Sequence, residues 1–208
     1  MAFIKNQITE SVLQDDRKQA RGCADLLVEL SDANPTARRW AARDLIDCSG
    51  VAPALVERLK IEPVRSVREV ILTTLTRLGD PAAVGGLVDC LRIEDAALRN
   101  EAIEAMKQLP DEVAPIMQGL LTDADPDVRI FAVNVLESLC HPEVEAWLID
   151  VIKEDPHINV CATALDLLSE VGTAAAVLEP LQRLKTRFAD EPYIQFAADL
   201  ALRRIHES

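Results

Sequence analysis

The sequence predicts an all-α chain folded as an α-solenoid of stacked helix pairs, and three observations carry that expectation. The first is composition: of 208 residues 49% are apolar, yet aromatics make up only 3% and glycines number 7. Leu, Ala, Val, Glu, Asp and Arg dominate, a helical vocabulary poor in the β-branched and aromatic mix of sheets. That apolar share at this length is enough for a real core, which excludes a wholly disordered chain. The second is an internal repeat: Arg38, Arg68, Arg99 and Arg129 stand 30, 31 and 30 residues apart, each behind a turn rich in Asp, Glu or Asn. The third is apolar spacing of helical period inside every unit.

Taken in order, residues 1–31 read as a degenerate N-terminal capping unit with Cys23, Leu26, Leu27 and Leu30 as its stripe. Five helix-turn-helix units are expected at 32–61, 62–93, 94–122, 123–153 and 154–187. Their first helices follow Asn34-Pro35, Glu62-Pro63, Glu94-Asp95, Asp125-Pro126 and Asp155-Pro156, the last with Asn159 in the Arg slot. In the fourth unit Val128, Phe131, Ala132, Val135 and Leu139 share one helical face. The second helices repeat a 0, +3, +4 spacing in Val51-Ala54-Leu55, Val84-Leu87-Val88, Val113-Ile116-Met117 and Val144-Trp147-Leu148. Prolines belong where a missing N–H costs least, so Pro35, Pro126 and Pro156 are expected to open first helices and Pro81 and Pro142 second ones. Pro53 and Pro115 are placed in first turns, and Gly50 and Gly172 between paired helices. A C-terminal capping helix, 190–208, points Ile194, Ala198, Ala201, Leu202 and Ile205 inward. No unit can bury its stripes alone, so neighbours must stack into one domain spanning 1–208.

A repeat of ~30 residues with an acidic–Pro turn, then Val-Arg and a small residue, as in Asp125-Pro126-Asp127-Val128-Arg129 and Ala132, resembles the HEAT repeat. It is most similar to the short subtype of phycobilisome-lyase-like proteins. The resemblance implies a right-handed superhelix whose second helices line a concave surface. It also implies two roles: a scaffold or adaptor gripping a partner protein, or a bilin-lyase-like subunit handling a tetrapyrrole chromophore and its client.

Charge narrows the partners. Lys and Arg total 22 against 35 Asp and Glu, a net charge of −13. Phosphates need cations and bases need rings, so this composition argues against nucleic acid. Residues 1–10 hold no uninterrupted apolar run, and no stretch approaches the ~20 apolar residues of a membrane span, so neither secretion nor a membrane partner is expected. Cys23, Cys48, Cys90, Cys140 and Cys161 include no CxxC and read as reduced, small core residues of a cytoplasmic protein. Among them Cys90 is expected to be the most accessible. His141, His157 and His206 are scattered, and His206-Glu207 alone does not supply the repeated His-Glu dyads of HEAT-like hydroxylases. With no GxSxG, P-loop or GxGxxG, the expectation is a non-enzyme without metal or cofactor.

Two sets of residues are singled out. Asp32 with Arg38, Glu62 with Arg68, Glu94 with Arg99 and Asp123 with Arg129 form an expected structural ladder, each acid five or six residues before its Arg. Such pairs would tie down the inter-repeat turns and bridge adjacent units. Val56, Glu57, Asp89, Gln118, Ile149, Asp150, Gln182 and Arg183 occupy the fifth and sixth positions after the first core Val of each second helix. They are the expected partner-binding stripe: mixed, mildly acidic, and suited to a protein surface of some basic character. Ala52, Gly85, Gly86, Ala114 and Ala146 lie nearby, either for close packing between second helices or as a trough for a partner's backbone. The partner is a protein of unspecified identity, and the chain a monomer or weak homodimer.

Overall fold

The computed structural model describes residues 21–139 and 141–207, and among these it holds twelve α-helices and no strand. Helix α1 (Cys23–Glu29) precedes five pairs: α2 (Pro35–Asp44) with α3 (Ala52–Ile61), α4 (Arg65–Leu78) with α5 (Pro81–Cys90), α6 (Ala96–Met106) with α7 (Pro110–Leu121), α8 (Pro126–Leu136) with α9 (Val144–Glu154), and α10 (Ile158–Val171) with α11 (Ala174–Arg187). Helix α12 (Pro192–Glu207) closes the chain. First helices α2, α4, α6, α8 and α10 pack in succession and α12 joins them, while α3, α5, α7, α9 and α11 make the second layer. This is an α-solenoid.

Local chemistry sets the helix starts. Asn34, Asp80 and Asp125 each accept a backbone N–H of the first turn, from Thr36 (2.9 Å), Ala83 (2.8 Å) and Asp127 (2.9 Å). Pro35, Pro81 and Pro126 take the first helical position behind them. Pro142 and Pro156 instead lie in the turns before α9 and α10. Pro115, expected in a first turn, is inside α7 because that helix already begins at Pro110. Gly79 ends α4 in the left-handed region (φ +56°), a termination a side chain would strain.

The core runs unbroken from Leu26 and Leu30 through Leu55, Ile71, Leu87, Met106, Met117 and Leu148 to Ile194 and Ala201. Each repeat hands its apolar stripe to the next, so stability resides in the stacking. The buried Thr74 hydroxyl donates to the Ala42 carbonyl across α4 and α2 (2.9 Å), which satisfies it without water.

Two cysteine expectations are corrected. Cys23 and Cys48 form a disulfide with Cα atoms 5.9 Å apart, because α1 folds back on α2 and its 3₁₀ extension, Leu45–Asp47. Cys90 is fully buried, on the α5 face that carries Ala83 and Leu87, and burial pushes its thiol up to about 11. A protonated, enclosed thiol is unreactive. Cys161 is buried as well, and Cys140 lies outside the described residues.

Candidate functional site

The ladder arginines reach forward, not to the acid of their own turn. Arg38 donates from Nε and Nη2 to both carboxylate oxygens of Glu62 (2.8 and 2.7 Å), and from Nη1 to the carbonyls of Asp32 and Ala33 (2.8 and 3.1 Å). Arg129 repeats the arrangement, forking onto Asp155 (2.6 and 3.0 Å) and holding the Asp123 and Ala124 carbonyls (2.7 and 3.3 Å). The expected pairings within a turn are therefore corrected. The reason is local: Asp32 and Asp123 bend back to accept the N–H two residues on, from Asn34 (2.6 Å) and Asp125 (2.9 Å). The guanidinium then meets the turn's carbonyls and the next turn's acid. Burial alone would raise the carboxyl of Glu62, but bonds from Arg38, the Val64 N–H and Arg58 overcome it and hold it at about 2.

The middle of the ladder is different. Arg68 faces both oxygens of Glu101 on α6 (3.0 and 3.3 Å) and Asp95, the cap of that helix (3.5 Å), rather than Glu62. Arg99 donates to the Ile93 carbonyl (2.5 Å) and lies over the Phe131 ring at 5.5 Å, while Glu94 is exposed and pairs with nothing among the described residues. Neither guanidinium forks onto the acid of the next turn. Beside them the second helices α5, α7 and α9 pack loosely, whereas α3 with α5 and α9 with α11 pack closely.

Of the expected partner-binding stripe, Glu57, Asp89, Gln118, Asp150, Gln182 and Arg183 are exposed. Val56 and Ile149 are buried, which corrects their assignment. Val56 sits against Gly86, where an added Cβ would lie 2.1 Å from Val56 Cγ2. A fixed offset turns through the same angle in every helix, about 100° per residue, so the counting residues Val51 and Val84 do not face alike: the buried set on α3 is Ala52, Leu55, Val56 and Leu59, and on α5 it includes Ala83, Gly86, Leu87 and Cys90. Glu57 and Asp89 both reach Lys60 (3.0 and 3.6 Å), and Arg183 pairs with Glu179.

A groove opens between α7 and α9. Its volume is about 430 Å³, and it is lined by Gln118, Leu121 and Thr122 on one side and Trp147, Asp150, Val151 and Glu154 on the other, reaching the Arg129–Asp155 pair and Asp123. His141 stacks on Trp147 with ring centroids 5.0 Å apart and planes 6° from parallel, which steadies the indole. Arg92 grips Asp123 (2.5 Å), and its bond, aided by the Asp125 N–H, keeps that carboxyl below the usual range. Asp150 and Glu154 pair with no cation among the described residues. Sequence reasoning placed Asp150 and Gln118 here but read Trp147 as core filling. The missed signal is the i, i+3, i+7 spacing of Trp147, Asp150 and Glu154, which sets an indole and two carboxylates on one face.

The family model for HEAT repeats matches residues 23–107 and 113–203, most of the chain. The chain belongs to the HEAT-repeat family. Among solved structures, this HEAT-repeat chain is similar to an archaeal HEAT-like repeats protein from Thermococcus onnurineus NA1, at 16% identity and a TM-score of 0.48 over 89% of this chain and 87% of that one. It is also similar to the complex of CpcE and CpcF of phycocyanin lyase from Nostoc sp. PCC7120 (16% identity, TM-score 0.37, 98% and 100% covered). A third likeness is to computationally designed armadillo repeat proteins for modular peptide recognition (17%, 0.39, 88% and 99%). None of the three carries a function over to this chain. No curated protein matches the HEAT-repeat chain in sequence. Among the described residues no helix is long and apolar enough to cross a membrane, and no group of three His, Cys, Asp or Glu is placed to hold a metal.

Proposed function

We propose that this HEAT-repeat protein is a non-catalytic adaptor that binds a partner protein along the face made by its second helices. The α7–α9 groove carries the reading: it is an indented, partly apolar site set in an exposed run from Glu57 and Asp89 through Gln118 and Asp150 to Gln182. A stacked array presents such a surface already ordered, which lowers the entropic cost of association. The carboxylates of Asp150 and Glu154 disfavour the propionates of a bilin, so the tetrapyrrole role is the weaker of the two.

Tagged protein purified under native conditions is expected to bring down a stoichiometric partner. Gly119→Arg on α7, where an added Cβ meets nothing, should lose it, and Asn100→Arg on exposed α6 surface should keep it. Absence of any stoichiometric partner, or equal loss in both variants, overturns the adaptor reading. A cytoplasmic location is part of the proposal. The Cys23–Cys48 disulfide argues against that location, and thiol alkylation at lysis decides it: a reduced pair supports the cytoplasm and an oxidised pair overturns it.

A further inference from the structure

We propose that the α7–α9 groove takes the guanidinium of an arginine of the partner, an inference that rests on the second-helix face being the docking surface. Four carboxylates line the groove (Asp123, Asp150, Glu154 and Asp155) against one cation, Arg129. Two of the four are already committed, Asp155 to Arg129 and Asp123 to Arg92. Asp150 and Glu154 remain, one helical turn apart on α9, with Trp147 one turn before Asp150. A flat cation that stacks on an indole while offering parallel N–H donors to a carboxylate is complementary to this arrangement. Leu121 and Val151 supply apolar wall for the methylene stem.

The wider field points the same way. A chain of net charge −13 attracts a basic segment and repels an acidic one. Lysine satisfies the carboxylates but not the planar stacking, so the groove prefers arginine. Packing favours this position along the stack as well. The α3–α5 seam is filled by Val56 against Gly86, whereas α7 and α9 stand apart and leave a side chain's width of space.

The test uses the full chain, ¹⁵N-labelled, titrated with N-acetyl-arginine amide and with N-acetyl-citrulline amide, its neutral near-isostere. The Trp147 indole N–H resonance, assigned against Trp147→Phe, should shift with arginine together with backbone signals of 118–122 and 150–154, and should stay still with citrulline. N-acetyl-lysine amide should bind more weakly. Asp150→Asn and Glu154→Gln should each weaken arginine about three-fold and together about ten-fold, while Glu69→Gln on the exposed surface of α4 changes nothing. Equal shifts with citrulline, shifts mapping outside the groove, or undiminished binding by the double variant overturn the proposal. A partner kept by the double variant but lost with Gly119→Arg removes the arginine anchor and leaves the adaptor reading standing. Arginine held in the groove of a chain that recovers no partner keeps the anchor and removes that reading.

Discussion

The outer and middle junctions of this solenoid are built from the same repeat and behave differently. At the Arg38–Glu62 and Arg129–Asp155 junctions a buried guanidinium forks onto a buried acid, and both the first and the second helices of adjoining units pack closely. At Arg68 and Arg99 no fork onto the next turn's acid forms, and both layers are looser. One substitution in the turn separates the classes: Glu62 and Asp155 each precede a proline, whereas Glu94 and Asp123 do not. The lesson is that the ladder sets how tightly units close, and that the groove lies where closure is relaxed.

The largest test of that contrast removes one partner of a fork. Glu62→Ala strands the Arg38 guanidinium in the core and should cost about 3–5 kcal/mol in urea denaturation, as should Asp155→Ala. Glu101→Ala, which takes away one partner of Arg68 but leaves Asp95 beside the guanidinium, should cost less, about 1–2 kcal/mol. Equal losses at both sites would erase the distinction. The apolar double change Arg38→Met with Glu62→Leu should recover most of the stability, since a stranded charge and not a missing attraction causes the loss.

Acid probes the same junction. The Glu62 carboxyl is held at about 2, below the usual carboxylate range, so the unfolded chain takes up the proton first. Its stabilisation is complete above that usual range and is lost as pH falls through it toward about 2, a window worth roughly 3 kcal/mol. Helix content followed from pH 5 to pH 2 should fall more steeply in the native chain than in Glu62→Gln, and identical profiles would refute the assignment.

Smaller effects separate the seams. Gly86→Ala drives a methyl into Val56 and should cost about 1–3 kcal/mol. Gly119→Ala, in open space on α7, should stabilise by about 0.5–1 kcal/mol through helix propensity. Smallest of all, Asp150→Asn and Glu154→Gln should move stability by no more than about 0.5 kcal/mol, as exposed side chains with no described partner do. Thermal melts of the four variants order these seams directly.

Much of the architecture was legible because repetition averages over local ambiguity: several unrelated turns point to the same helix boundary. The details that resisted reading depend on direction rather than on residue type. Which acid Arg38 meets is decided by Asp32 turning back onto its own backbone. Val56 and Asp89 occupy the same numbered slot, yet one is core and the other solvent, because Val51 and Val84, from which the slots are counted, face differently on their helices. Trp147 satisfied the apolar spacing so well that its exposed flank went unseen, and Cys23 found Cys48 only once α1 had reversed direction.

That reversal has a consequence for how the stack comes apart. A linear array of helix pairs frays from its termini, since an end unit has one neighbour instead of two. The Cys23–Cys48 link clasps the first unit covalently and leaves α12 held only by packing and a few polar ties. The clasp therefore ties the hold on α1 to redox state: a reductant that opens it leaves α1 with its packing on α2 and the 3₁₀ turn and the Arg21 ion pairs, while the packing of α12 on α10 and α11 is untouched.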